Sequence, residues 1–305
     1  MQKVVLVTGA YGFLGRNVAK HFAKTGSFVV GIGHGIWERE EWTEWGISEW
    51  HTADITLDSL VMYAGLPDTI IHCAGSGSVS FSMSYPQQDF QRTVDATAAV
   101  LEFARLYASQ AHVVYPSSAG VYGNVDKLPI SECHRLLPVS PYGVHKKISE
   151  EMCCSYAQHF NLSVAIVRLF SVYGIGLRKQ LLWDACMKIR YGENSFFGTG
   201  MEMRDWLHIN DTVLLLSLAS EHASNDCPIV NGGAGEGVFV REVLSELFNC
   251  FGKYETPHFS GTLRGGDPVH YVADIRRYSA WGFSPQVGWR EGVRQYAAWF
   301  LGEIT

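Results

Sequence analysis

The chain has 305 residues, 47% of them hydrophobic, enough for a large core in one big domain or in one domain with a satellite. A net charge of −6 and a pI near 6.0, with no basic tract, argue against nucleic acid or an anionic membrane as the main partner. A phosphorylated small molecule stays open, because it needs only local donors.

In chain order, residues 3–8 read as a short apolar strand, 13–24 as a helix and 27–33 as a second strand. The next stretch carries Trp37, Trp42, Trp45 and Trp50. It reads as an amphipathic segment whose indoles pack on the domain, the sharper alternative being a surface for adenine or another subunit. Strands follow at 69–74, 112–117 and 163–170, and long helical patterns at 87–109 and 140–159. Continuous β-branched runs alternating with helices predict an α/β, doubly wound parallel sheet covered on both faces. Beyond Val172 the pattern loosens into short strands, glycines and prolines, with helices at 179–190, 212–220, 240–250 and 291–301. This predicts a smaller C-terminal substrate-binding part.

No segment reaches the roughly 18 apolar residues of a membrane span. Only residues 4–7 form an apolar run before the first glycines, so no signal peptide is expected and the location expected is cytoplasmic. The seven cysteines, Cys73, Cys133, Cys153, Cys154, Cys186, Cys227 and Cys250, lack CxxC spacing and are odd in number. They predict reduced thiols rather than a disulfide framework, and no metal site.

The first helix opens in TGAYGFLG, a TGxxGxxG run directly after a strand. Three glycines at a helix start cost stability unless a ligand or a close approach needs them. Gly9 would permit the tight turn, Gly12 would let a pyrophosphate approach helix N–H groups, and Gly15 would let the helix pack close to the sheet. A dinucleotide is the expected ligand, with Tyr11, Phe13 and Leu14 completing the turn around it.

At this point the chain resembles the extended short-chain dehydrogenase/reductase family, in its nucleotide-sugar epimerase/dehydratase/reductase branch. The resemblance rests also on Asp54-Ile55, on IHCAG with Ala74 and Gly75, on PSSAGVYG with Ser118, and on the YxxxK pair Tyr142 and Lys146. RDWLHINDT at 204–212 and LRGGDP at 263–268 extend it over nearly the whole chain. It implies a Rossmann-type dinucleotide-binding domain over 1–171, with 206–232 adding late sheet elements, and a substrate-binding domain over 172–205 and 233–305.

The implied chemistry is acid–base catalysis joined to hydride transfer. A free phenol, with pKa near ~10, is a poor base at neutral pH. Lys146 and an oxidised nicotinamide would favour the phenolate of Tyr142, which would take a proton from a sugar hydroxyl as hydride leaves the same carbon. Lys146 would also hold the nicotinamide ribose, and Ser118 would orient the reacting oxygen. The 4,6-dehydratases of the branch carry Asp-Glu after the Ser/Thr, where this chain has Ala119 and Gly120, so dehydration is disfavoured. The reading is C4 epimerisation of a nucleoside-diphosphate sugar, UDP-hexose 4-epimerase-like. The alternative is an NADPH-dependent reductase of a 4-keto-6-deoxysugar, and a non-catalytic NAD(P) sensor ranks below both.

NAD-dependent members end the second strand with a ribose-binding Asp, whereas here Gly33 is followed by His34. That tilts the expectation between NAD and NADP toward NADP, with His34 or Arg39 meeting the 2′-phosphate. Ser171, Gln180, Arg204 and Arg264 are the implied substrate residues, the arginines on the diphosphate. Ser171 and Gln180 stand where relatives often have Asn, and Thr93 replaces another common Asn. His72, His145 and His208 read as structural, with His145 off the Tyr142/Lys146 face. The two long helices, rich in small residues such as Ala96 and Ala157, imply a homodimer.

Overall fold

The computed structural model describes residues 2–253, 255–262 and 270–303. The strands are β1 (Val4–Thr8), β2 (Phe28–Gly33), β3 (Glu49–Thr52), β4 (Thr69–His72), β5 (His112–Ser118), β6 (Ser163–Leu169), β7 (Ser171–Tyr173), β8 (Ser195–Phe196), β9 (Met203–His208), β10 (Ile229–Gly232), β11 (Gly237–Phe239) and β12 (His258–Phe259). The helices are α1 (Phe13–Lys24), α2 (Arg39–Glu44), α3 (Leu57–Tyr63), α4 (Val79–Ser84), α5 (Pro86–Phe90), α6 (Ala96–Tyr107), α7 (Pro141–Phe160), α8 (Gln180–Arg190), α9 (Ile209–Glu221), α10 (Val240–Cys250), α11 (Arg276–Ser279) and α12 (Trp289–Glu303). No described helix is long and apolar enough to cross a membrane.

The chain divides into two compact units. The first comprises Met1–Gly123, Glu132–Leu169 and Val213–Asn231; the second comprises Asn124–Ser131, Phe170–Thr212 and Gly232–Thr305. The border near the end of β9 thus falls after Thr212, not at residue 206, and an excursion at Asn124–Ser131 joins the second unit.

The first unit is built on a seven-stranded sheet ordered β10-β6-β5-β4-β1-β2-β3. All pairings from β3 across to β6 are parallel. This is the doubly wound order, reversing between β1 and β4, where ligands of such sheets bind beyond the strands' carboxyl ends. Strand interiors are apolar on both faces, as burial under helices demands. Leu6, Ile70, Val113 and Ile166 from the sheet pack with Val100, Leu101 and Phe103 of α6 and Ala157 of α7, all buried.

The long helix expected at 87–109 is instead α5, a π-helical turn at Gln91–Asp95, and α6. The wide turn leaves the Thr93 carbonyl to accept the Thr97 hydroxyl at 2.6 Å. The tryptophan-rich segment is α2 followed by β3, an edge strand with no apolar alternation that the sequence did not announce.

The second unit holds a three-stranded sheet, β11-β9-β7, antiparallel between β11 and β9 and parallel between β9 and β7. Buried Asp205 of β9 accepts N–H bonds from Ala234 at 2.5 Å, Gly235 at 3.0 Å and Ala273 at 2.9 Å. Burial nevertheless pushes its carboxyl up to about 6, against the pull of those donors. Asp211 similarly accepts from the Gln286 and Val287 N–H groups, both at 3.0 Å. These carboxylates pin the loops to the strand and helix that carry RDWLHINDT.

Gln180, at the head of α8, has φ +67, a left-handed backbone that Cβ sterics disfavour for glutamine. Asn tolerates this region better. Gln180→Gly is expected to stabilise the chain by about 0.5–1 kcal/mol, read as a higher urea midpoint at unchanged slope. An unchanged or lower midpoint would show that the side chain offsets its backbone strain.

Candidate active site

The phosphate turn is assembled where β1, β2 and β4 end. Gly9 follows β1 with φ +67 and donates its N–H to the Ile32 carbonyl of β2 at 2.7 Å. A Cβ there would stand 2.7 Å from the Ala74 nitrogen, so only glycine fits. Gly12 caps α1 with an extended backbone, no side-chain cap and no acidic residue in the first turn. The leading N–H groups of Phe13 and Leu14 thus face an anion site of the kind helix N-termini provide. A Cβ on Gly12 would meet only the Gly9 carbonyl, at 3.2 Å, leaving its outer side open for a phosphate.

Gly15 has a different neighbour from the one expected. A Cβ on it would lie 2.3 Å from the Gly9 carbonyl and 2.7 Å from the Ala10 Cα, so it serves the turn's own backbone rather than the sheet face. Gly15→Ala must displace that turn. It is expected to weaken dinucleotide binding at least ~10-fold, about 1.4 kcal/mol, and to lower the unfolding midpoint. Calorimetric titration with NAD checks the first effect, and wild-type affinity would show that the turn yields at no cost.

Beyond the turn, β2 ends at buried Gly33, where a Cβ would come within 3.3 Å of the Gly9 Cα. The register Gly33↔Thr52 brings the residues after β3 alongside. Asp54 stands there with its carboxylate 2.9 Å from His34 Nε2, both side chains exposed. An acidic side chain, Asp54, thus stands beside the residue that follows β2, with half-buried Ile55 after it. Arg39, by contrast, is the first residue of α2, with its guanidinium 6.0 Å from the Trp42 ring. The indoles wrap Arg16, which lies 5.3 Å from the Tyr11 ring, 5.5 Å from Trp37 and 5.2 Å from Trp45 and donates from Nε and Nη2 to the Tyr11 carbonyl. The tryptophan segment thus braces the back of the phosphate turn.

At the end of β4, the Ala74 N–H donates to Thr8 Oγ1 at 3.2 Å, and Thr8 meets His72 Nδ1 at 2.7 Å. His72 Nε2 lies 3.2 Å from Thr97 Oγ1, whose own proton goes to the Thr93 carbonyl. With the Thr97 proton so used, Nε2 carries the imidazole proton and Nδ1 accepts. Burial, aided by the Lys146 charge, lowers His72 to about 3, so it is neutral and structural. Gly75 has φ +136, a backbone that favours glycine, and a Cβ there would lie in ordinary contact, 3.7 Å from Thr93 Oγ1 and 3.9 Å from Lys146 Nζ.

Ser118 closes β5, and Tyr142 and Lys146 stand one turn apart at the start of α7. Ser140 caps that helix through the Gly143 N–H at 3.2 Å, and Pro141 occupies its first turn. The Tyr142 N–H is met by buried Ser82 Oγ at 3.0 Å. Ser118 Oγ accepts the Gly120 N–H at 3.1 Å, and it and the Tyr142 ring flank Gly120, 3.3 and 3.5 Å from where a Cβ would stand. Lys146 is 6% exposed and donates from Nζ to the Pro116 carbonyl at 2.9 Å. Burial lowers its ammonium to about 8, opposed by Cys73, Glu150 and Asp89.

The phenol is not depressed in the protein alone. Burial pushes Tyr142 above its ordinary value, Ser118 pulls it down and the Asp89 charge pushes it up. A phenolate here therefore needs positive charge that the protein alone does not supply. His145 turns off this face, as expected, and its Nδ1 lies 2.5 Å from fully buried Asp89.

Of the other expected residues, Ser171 opens β7 and is paired with Trp206, which places Arg204 two residues earlier on the neighbouring strand β9. Gln180 heads α8, and Arg264 lies outside the described residues. His208, also buried, receives the Asn210 N–H on Nδ1 at 3.3 Å. Sequence reasoning missed Glu150 and Arg168. Glu150 lies four residues past Lys146 on the same helical face, and its carboxylate accepts from Ser117 Oγ at 2.5 Å and from Arg168 Nη2 at 2.7 Å. The i+4 spacing from Lys146 was a visible signal. Among the described residues, no cluster of three metal-ligating side chains occurs.

A parallel sheet with a glycine phosphate turn at its switch point and a Ser–Tyr–Lys set at its carboxyl edge defines a short-chain dehydrogenase/reductase. The chain belongs to the NAD dependent epimerase/dehydratase family, whose profile matches residues 5–233. Among its relatives, a putative UDP-glucose 4-epimerase of Methanocaldococcus jannaschii is 26% identical, the match covering 97% of this chain and 98% of that one. A UDP-glucose 4-epimerase of Azospirillum brasilense is 29% identical over 93% of this chain and 86% of its own. Among solved structures, MoeE5 in complex with UDP-glucose and NAD is 28% identical, with a TM-score of 0.88 over 99% of this chain and 100% of that one.

Proposed function

We propose that the protein is an NAD-dependent 4-epimerase of a UDP-hexose. The observation that carries this reading is the complete Ser118, Tyr142 and Lys146 set, followed by Ala119 and Gly120 where elimination of water would need carboxylates. The relatives named above support UDP-sugars as the substrate class. NAD, when bound, would supply reversible hydride acceptance at the sugar carbon. Tyr142 takes the hydroxyl proton at that carbon and later gives it back, Ser118 holds the same oxygen, and Lys146 binds the nicotinamide ribose and favours the phenolate. No second acid is required, because each half-reaction reverses the other with the sugar turned over.

NAD is favoured over NADP by Asp54, whose exposed carboxylate beside His34 would accept from ribose hydroxyls and repel a 2′-phosphate. Segments 172–205 and 233–305 form the proposed substrate-binding domain, with Arg204 and Arg264 on the diphosphate and Ser171 and Gln180 nearer the sugar. The proposed homodimer would pair α6 and α7 with a second copy, a mass that light scattering reads directly. A cytoplasmic location is part of the same proposal.

The deciding experiment incubates the protein with UDP-, GDP-, dTDP- and CDP-hexoses, with and without NADPH. Interconversion of C4 epimers of a UDP-hexose without added reductant supports the reading. Product that forms only from a 4-keto sugar with stoichiometric NADPH overturns it in favour of a reductase.

A further inference from the structure

We propose that Cys154 and Cys227 form a peroxide-sensitive thiol pair that closes to a disulfide. Their sulfur atoms share a hydrogen bond at 3.6 Å, although the residues are 73 positions apart in sequence. Both belong to the first unit: Cys154 is in the C-terminal half of α7, and Cys227 sits just before β10 with φ +50. Cys227 is buried, while Cys154 is half-buried and lines a cavity of about 320 Å³ with Glu150, Glu151, Arg168 and Ile229. A small oxidant therefore reaches Cys154 and not its partner.

The surroundings favour a thiolate on Cys154. The hydrogen bond it shares with Cys227 holds its thiol below the ordinary value, against burial and the Glu150 charge, with Arg168 aiding. Cys227, hydrogen-bonded to Cys154 and buried, is pushed up. The other cysteines lack this arrangement: burial raises Cys73 to about 12 and Cys186 to about 12, and Cys133 is exposed. The pair lies outside the catalytic set, and the inference does not rest on the proposed activity.

The chemistry balances with hydrogen peroxide as the oxidant. The Cys154 thiolate attacks one peroxide oxygen; an S–O bond forms, the O–O bond breaks, and the departing hydroxide takes a proton to become water. The Cys227 sulfur then attacks the sulfenic sulfur; the S–S bond forms, the S–O bond breaks, and the Cys227 proton leaves with the second hydroxide as water. The two sulfurs together lose two electrons, which the peroxide gains. The product would fasten α7, the helix bearing Tyr142 and Lys146, to the chain entering β10.

The test treats the reduced full-length protein with graded hydrogen peroxide, followed by alkylation and peptide mapping. The expected result is a Cys154–Cys227 cross-linked peptide, with the chain lighter by two hydrogens, reversed by dithiothreitol. Cys227→Ser should abolish the cross-link and leave Cys154 as a sulfenic acid that dimedone traps, while Cys133→Ser changes neither. Should Cys227→Ser fold poorly, Cys154→Ala serves in its place, leaving Cys227 unoxidised at the same peroxide dose. Oxidation at Cys133 or Cys73 with Cys154 and Cys227 both still alkylated overturns the proposal, as does a cross-link that survives either substitution.

Discussion

Replacing Tyr142 with phenylalanine should lower turnover by about 10²–10⁴-fold, the range that a positioned general acid–base contributes. The fold should tolerate the change. The ring stays, the backbone N–H keeps its bond to Ser82 at 3.0 Å, and Ser140 still caps the helix. What is lost is the phenol hydroxyl alone, next to Ser118 at the end of β5. Cofactor affinity should stay within about threefold, below ~0.7 kcal/mol, because the phosphate turn and Lys146 are untouched. Stopped assays of UDP-hexose interconversion read the first effect and NAD titration the second. Turnover within tenfold of wild type would remove Tyr142 from the acid–base role. Loss of NAD binding together with turnover would mean that the phenol supports the cofactor rather than the proton transfer. Ser118→Ala should cost less, since it orients an oxygen but moves no proton.

Much of this site was legible because its requirements are local. The glycine turn needs residues at fixed short spacing between a strand and a helix, and Tyr142 and Lys146 share a helical face by periodicity alone. The strands β1, β5 and β6 announced themselves by the apolar runs VVLV, VVY and VAIV. What escaped was set by contacts distant in sequence. β3 is a four-residue edge strand, EWHT, with no alternation to mark it. The carboxylate beside the end of β2 comes from Asp54, and only the strand register shows it opposite His34. Reading along the chain, Gly33 without an acid pointed to NADP; in space Asp54 lies beside His34. The phenol was expected to be acidic because its lysine neighbour is four residues on. In the folded protein burial dominates, and Lys146 spends one donor on Pro116.

Breaking the Glu150–Arg168 pair should be the most damaging single change outside the catalytic set. Both side chains are 3% exposed, and the guanidinium reaches Glu150 through Nε at 3.0 Å and Nη2 at 2.7 Å. Its other arm donates from Nη1 to the Tyr122 hydroxyl and the Glu132 carbonyl, both at 3.0 Å, and Tyr122 in turn donates to Asn231 at 2.6 Å. Burial opposes the Arg168 charge, yet the hydrogen bonds and charge of Glu150 outweigh it and raise its proton affinity. Glu150→Gln leaves that charge buried with a neutral partner, and Ser117 loses a carboxylate acceptor. The expected loss is about 3–5 kcal/mol of folding free energy, read from urea unfolding. Ser117→Ala removes only one hydrogen bond and should cost about 1 kcal/mol. Because Glu150 ties α7 to β5 and β6 together, turnover of Glu150→Gln should also fall as Tyr142 and Ser118 lose their fixed spacing. The discriminating measurement is the double variant Glu150→Leu with Arg168→Met. An apolar replacement of both partners should recover part of the stability that either single change loses, since no charge is left unpaired. If the double variant instead loses the full sum of the two singles, the two side chains act independently, and the pair is not what holds the catalytic helix against the sheet.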